Sequence, residues 1–128
     1  MKLTENFSLH EFECNCGCEM PDKVLSNIKI VANNLQELRN TIDKPIKLTN
    51  AYRCPEHNAK VGGVPSSQHI KGLAADIQIK NLKPSDVADV VEHEMVNGRL
   101  KHGGVGRYDT FTHVDFRGYN ARWDKTTK

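Results

Sequence analysis

Three features of the sequence predict an α+β domain: one long segment whose apolar residues recur at helical spacing, several short segments in which apolar and polar residues alternate, and no repeat or linker dividing the 128 residues. A small, largely antiparallel sheet is expected, with helices packed on one face and the other face free for chemistry. Residues 1–128 are read as a single domain, a common domain size and large enough to bury a core without staples.

The first helix is expected from Asp22 to Ile42, where Leu25, Ile28, Val31, Leu35, Leu38 and Ile42 follow one another at intervals of three and four. Pro21 and Pro45 mark its ends. The segment IKLTNAY then alternates Ile46 and Leu48 with Lys47 and Thr49, as a half-buried strand does, and ends at Arg53. From Pro55 to Gly72 the chain is rich in Gly, Pro, Ser and Asn and reads as a long functional loop with room for a short helical turn. A second strand is expected at AADIQIK, from the alternation of Ala75, Ile77 and Ile79 with Asp76, Gln78 and Lys80. Pro84 and Ser85 open a second helix that carries Val87, Val90, Val91 and Met95 and stops at Gly98. Two short strands follow, around GGVGRY and FTHVDFR, joined by a turn at Tyr108–Thr110.

A formal charge of +2 carries no basic excess of the kind that nucleic-acid binding requires. Apolar runs are too short to span a membrane, and MKLTENFSLHEF lacks the apolar core of a secretory signal. The chain is therefore expected to be made in the cytoplasm as a soluble monomer. Cys14, Cys16 and Cys18 crowd into CNCGC, while Cys54 lies far along the chain. Disulfides, a four-thiolate zinc site and plain reduced thiols all remain open, because C-x-C-x-C departs from the usual ligand spacing.

Two patterns carry chemistry. In SQHIKGLAADI, His69 and Asp76 flank a turn made possible by Gly72, with small Ala74 and Ala75 leaving room for close approach. In THVDF, His113 and Asp115 are two apart and share one face of a strand. Two histidines and a carboxylate match a catalytic zinc site, whose fourth position is open to water. Ordinary histidines hydrogen-bonded in turns match the same spacing.

The succession AYRCPEHN, VGGVPSSQHIKGLAADI, GGVGRY and FTHVDFRG closely resembles the D-Ala-D-Ala carboxypeptidase and L-Ala-D-Glu endopeptidase family of zinc peptidases, related in metal site to lysostaphin-type peptidases and the hedgehog domain. The likeness runs from NFSLHEF to Trp123, nearly the whole chain. It implies a hedgehog-like fold, a zinc ion held by His69, Asp76 and His113, and an Arg53 that holds a substrate carbonyl or carboxylate. The implied substrate is the peptide stem of peptidoglycan, reached in the manner of a phage endolysin released to the cell wall. Thr110 and Phe111 stand where better-known members carry the general base. Asp115 is the first expectation for that base and Asp109 the second, with Asp115 alternatively orienting a zinc ligand. A zinc-containing wall-binding module or a phage structural component is the alternative to an enzyme.

Overall fold

The computed structural model describes residues 1–64 and 66–127. A short 3-10 helix at Leu9–Phe12 precedes α1 (Asp22–Ile42), β1 (Ile46–Asn50), α2 (Pro55–Lys60), α3 (Gln68–Lys71), β2 (Ala74–Ile79), α4 (Pro84–Val96), β3 (Gly104–Arg107), β4 (Thr112–Asp115) and β5 (Ala121–Asp124). The five strands form one sheet in the order β1-β2-β4-β3-β5, antiparallel throughout except for the parallel pair β3–β5. This is the expected α+β architecture. No helix among the described residues is long and apolar enough to cross a membrane.

Residue alternation assigns the two faces of the sheet. Ala75, Ile77 and Ile79 of β2, Val105 of β3 and Val114 of β4 join one core cluster with Val24, Ile28, Val31, Leu35 and Leu38 of α1 and Val87, Ala88, Val91 and Met95 of α4. Because successive strand side chains point to opposite faces, Asp76, His113 and Asp115 lie on the face turned away from that core. The register makes this concrete: Asp76 pairs with His113 across β2–β4, and Gly106 pairs with both His113 and Trp123 across β3.

Two differences from what the residue pattern predicts have physical reasons. The expected loop from Pro55 to Gly72 contains two short helices, opened by Cys54 and Ser67, whose side chains accept from the backbone N–H of His57 and His69. Pro65 of that segment lies outside the described residues. Strand β5 escapes the pattern search because its four residues pair in parallel with β3, a non-local contact that leaves no local signal.

Gly72 is the residue on which the turn between His69 and Asp76 depends. It caps α3 at φ 77°, and a Cβ there would come within 2.6 Å of a Val24 methyl. Gly72→Ala should therefore destabilise the protein by more than about 1 kcal/mol, since it adds left-handed strain to a steric clash. A denaturant titration checks this, and an unchanged midpoint would show that the turn tolerates a side chain.

Candidate functional site

His69 sits in the single turn of α3 and is gripped from both sides by the chain leaving β1. Its Nδ1 lies 2.6 Å from the Ala51 carbonyl oxygen, and its own carbonyl accepts from the Arg53 N–H at 3.1 Å. A carbonyl can only accept, so Nδ1 carries the proton and Nε2 is left with its lone pair. That Nε2 lies 3.2 Å from Asp76 Oδ1.

His113 is oriented in the opposite sense. Its Nε2 lies 2.8 Å from Asp115 Oδ2, and its Nδ1 lies 3.1 Å from the same Asp76 Oδ1. The Asp115 carboxylate is completely enclosed: Arg117 donates to it twice, at 2.8 Å through Nε and 2.6 Å through Nη2, and the Gly104 N–H donates to Oδ1 at 2.8 Å. An ionised carboxylate held in this way can only accept, so His113 Nε2 carries the proton and Nδ1 keeps its lone pair.

Two imidazole lone pairs therefore converge on one carboxylate oxygen. The ligand atoms of His69, Asp76 and His113 all lie within 4.8 Å of one another. Around zinc, tetrahedral N and O ligands at about 2.0–2.1 Å stand about 3.3 Å apart, close to the two separations above. Each histidine also gives its second nitrogen to a carbonyl or a carboxylate, the usual support for a metal-ligating imidazole. The donor set fits zinc in number, type and spacing.

Electrostatics agrees with this geometry. Burial would raise the Asp76 carboxyl, but with no metal bound a second proton taken up by the facing nitrogen of His113 or His69 donates to it, and this outweighs burial and holds the group well below the ordinary carboxylate range. For Asp115, burial is outweighed by Arg117 first and His113 second, again leaving the group strongly acidic. Burial pulls His113 down, yet Asp115 and Asp76 together raise it. Without a metal, this imidazole between two carboxylates favours a proton, the competitor that a divalent ion would displace.

A cleft of about 660 Å³ opens over these residues, lined by Arg53, Val64, Ser67, Tyr108, Phe111, Arg117, Trp123 and Lys125 among others. Burial lowers the Arg53 guanidinium more than Asp76 and Tyr108 raise it. Nη2 of Arg53 reaches Ser67 Oγ at 3.4 Å, while its buried Nε has no hydrogen-bond partner among the described residues. A second hollow, of about 410 Å³ between β1–β2 and the start of α4, is walled mainly by Pro, Ile, Leu and Val residues and lies away from these ligands.

The sequence-based candidates therefore separate. His69, Asp76 and His113 come together, and Arg53 lines the cleft beside them. Asp115 lies behind His113, with both oxygens accepting from His113 or Arg117. Asp109 is exposed in its turn, accepting from Thr127 N–H at 2.9 Å and Thr127 Oγ1 at 2.6 Å.

Trp123, Tyr108 and Arg117 escaped the sequence reading. The Trp123 ring stands 4.9 Å from His113, and its Nε1 donates to the Tyr108 hydroxyl at 2.9 Å. The glycines of GGVG held the available signal. A Cβ on Gly106 would run into the Trp123 indole, and one on Gly104 into the Asp115 carboxylate.

A family model described as Peptidase M15 matches residues 5–115, the greater part of the chain. The chain belongs to the peptidase M15 family. No curated protein matches it. The matched span of this M15 peptidase contains Arg53, His69, Asp76, His113 and Asp115, whereas Arg117 and Trp123, which complete the site, lie beyond it. Membership makes peptides its substrate class and agrees with a group of residues able to hold a metal.

Asp115 also links site and stability. Its folded carboxyl lies below the unfolded value of about 3.9, so in chelator-treated protein its ion pair contributes fully above about pH 4 and is lost as pH falls toward the folded value. Asp115→Asn should be less stable than wild type at neutral pH by about 3–5 kcal/mol. That gap should narrow below about pH 4, and a gap unchanged down to about pH 2 would contradict the linkage.

Proposed function

We propose that this M15 peptidase is a zinc enzyme that hydrolyses peptide bonds in the stem peptides of peptidoglycan, with His69 Nε2, Asp76 Oδ1 and His113 Nδ1 as the ligands. The observation that carries the reading is the pair of fixed tautomers, each turning an imidazole lone pair toward the same Asp76 oxygen. When bound, zinc supplies a Lewis acid and an acidified water at neutral pH.

The protein's own groups do the rest. Arg53 lines the cleft with a guanidinium that Ser67 Oγ steadies through Nη2, a planar cationic fork suited to a carbonyl that gains charge or to a substrate carboxylate. Tyr108 accepts from Trp123 Nε1, which leaves the phenolic hydrogen available to a substrate oxygen. The exposed side chains of Val61 and Val64 line the same cleft and offer apolar contact to small side chains such as alanine. With Arg117 committed to Asp115, Arg53 and Lys125 leave the cleft cationic. That balance favours a substrate with a free terminal carboxylate, as in the carboxypeptidase type, over cleavage inside the stem.

Asp115 is assigned to orienting His113 in preference to the base role, because Arg117, Gly104 and His113 already use its oxygens. The same fact supports a second reading. Both carboxylates at the centre are engaged, Asp76 with the two imidazoles and Asp115 with Arg117, an arrangement that also suits a zinc-containing wall-binding module without hydrolysis.

Digestion of purified peptidoglycan with zinc-replete protein, read by product mass, separates these readings. Released D-alanine is the expected result. New ends within the stem would indicate an endopeptidase, and binding with no product would establish the module. Arg53→Lys should retain its zinc yet turn over about 10²–10³ times more slowly, because lysine lacks the planar fork; an unchanged rate would remove Arg53 from the reaction. Asp115→Asn should weaken zinc binding by about 10–100-fold, measured by competition with a chelator. Full zinc affinity combined with lost turnover would return Asp115 to the role of base, and Asp109→Asn should change neither quantity.

A further inference from the structure

From the convergence of Cys14, Cys16, Cys18 and Cys54 we infer a second metal site, a tetrathiolate centre for a structural zinc ion, separate from the His69–Asp76–His113 group. The four sulfurs lie within 4.8 Å of one another. Cys14 Sγ stands 3.2 Å from Cys16 Sγ and 3.9 Å from Cys54 Sγ, and Cys16 Sγ stands 3.6 Å from Cys54 Sγ. Four thiolates placed tetrahedrally at about 2.3 Å from zinc are about 3.8 Å apart. The observed separations bracket that edge and exceed the S–S bond length of about 2.05 Å, and all four thiols are free.

The backbone explains how an unusual ligand spacing closes. The Gly17 N–H donates to the Cys14 carbonyl at 3.0 Å, and Gly17 itself has φ 81°, so the chain reverses within CNCGC and brings Cys18 back toward Cys14 and Cys16. Cys54 arrives from the other side, at the junction of the β1 exit and α2. Two backbone N–H groups point at sulfur: Cys54 N–H at Cys14 Sγ, 3.5 Å away, and His57 N–H at Cys54 Sγ, 3.4 Å away. Such donors favour the thiolate over the thiol, and on binding the four thiols release their protons to solvent. Cys14 is buried and Cys16 exposed, so the cluster is anchored to the core while one thiol is open to solvent.

The site also has a structural task. The Tyr52 N–H donates to the Phe12 carbonyl at 3.1 Å, so the N-terminal segment and the β1 exit already touch beside the cluster. A metal joining residues 14–18 to Cys54 closes this junction next to Arg53, the cleft residue that also holds the His69 carbonyl. Three thiols from one five-residue loop and a fourth from a distant segment make a cross-link that metal ligation closes in a single step.

The test uses the full chain, purified under reducing, zinc-replete conditions, with zinc measured by mass spectrometry. Wild type is expected to hold about two zinc ions, and the double variants His69→Ala/His113→Ala and Cys16→Ser/Cys18→Ser about one each. Cobalt substitution provides a readout that needs no cysteine variant: the His69→Ala/His113→Ala protein should show the near-ultraviolet sulfur-to-cobalt charge-transfer band of a thiolate site. Because that variant lacks the histidine ligands, failure of the proposed catalytic centre leaves this result unaffected. Metal-free His69→Ala/His113→Ala protein without the cobalt band would overturn the proposal. So would wild type in which all four cysteines react at once as free thiols before and after chelation, or in which intact mass shows them oxidised in pairs under the same reducing conditions.

Discussion

The Asp115–Arg117 pair is the interaction on which the site depends. By accepting two guanidinium hydrogen bonds and one from Gly104, the carboxylate is held ionised in a place with no access to water, where it can take only the Nε2 proton of His113. That choice turns the His113 Nδ1 lone pair toward Asp76. The Ala51 carbonyl imposes the opposite tautomer on His69, so that one imidazole presents Nε2 and the other Nδ1 to the same oxygen. The proposed ligand set is thus organised by groups that do not belong to it, as outer partners do at metal centres generally.

The remaining architecture serves this arrangement through strand register. Antiparallel pairing sets Asp76 directly beside His113, while Gly104 and Gly106 on β3 leave the volume that the Asp115 carboxylate and the Trp123 indole occupy. The opposite face of the same strands is filled by Ile77, Val105 and Val114 against α1 and α4. A one-residue slip of β4 would bury His113 in the core and expose Val114, so burial of the apolar face and assembly of the site are specified together.

Some of this was legible in the sequence and some was not. The α1 periodicity marks its bounds at Asp22 and Ile42, and the SQHIKGLAADI and THVDF patterns contain the three residues that converge. Both rest on local spacing, which a linear chain displays. Ala51 is chosen by where the chain leaves β1, Arg117 by its reach back over two residues to Asp115, and Trp123 by the parallel pairing of β5 with β3. None of these has a periodic signature. Asp115 shows the difference most plainly: its place on the same strand face as His113 was legible, but the guanidinium and glycine N–H that occupy its oxygens come from a neighbouring turn and another strand. Spacing identified the residue, and tertiary packing decided its partners.

The claim that two opposite tautomers converge on Asp76 is tested most directly by nitrogen NMR of the histidine side chains in the full chain, recorded before and after addition of zinc. The account predicts that His69 binds through Nε2 and keeps a proton on Nδ1, while His113 binds through Nδ1 and keeps a proton on Nε2. Ligation of both rings through Nε2, or imidazole signals that zinc leaves unmoved, would contradict it.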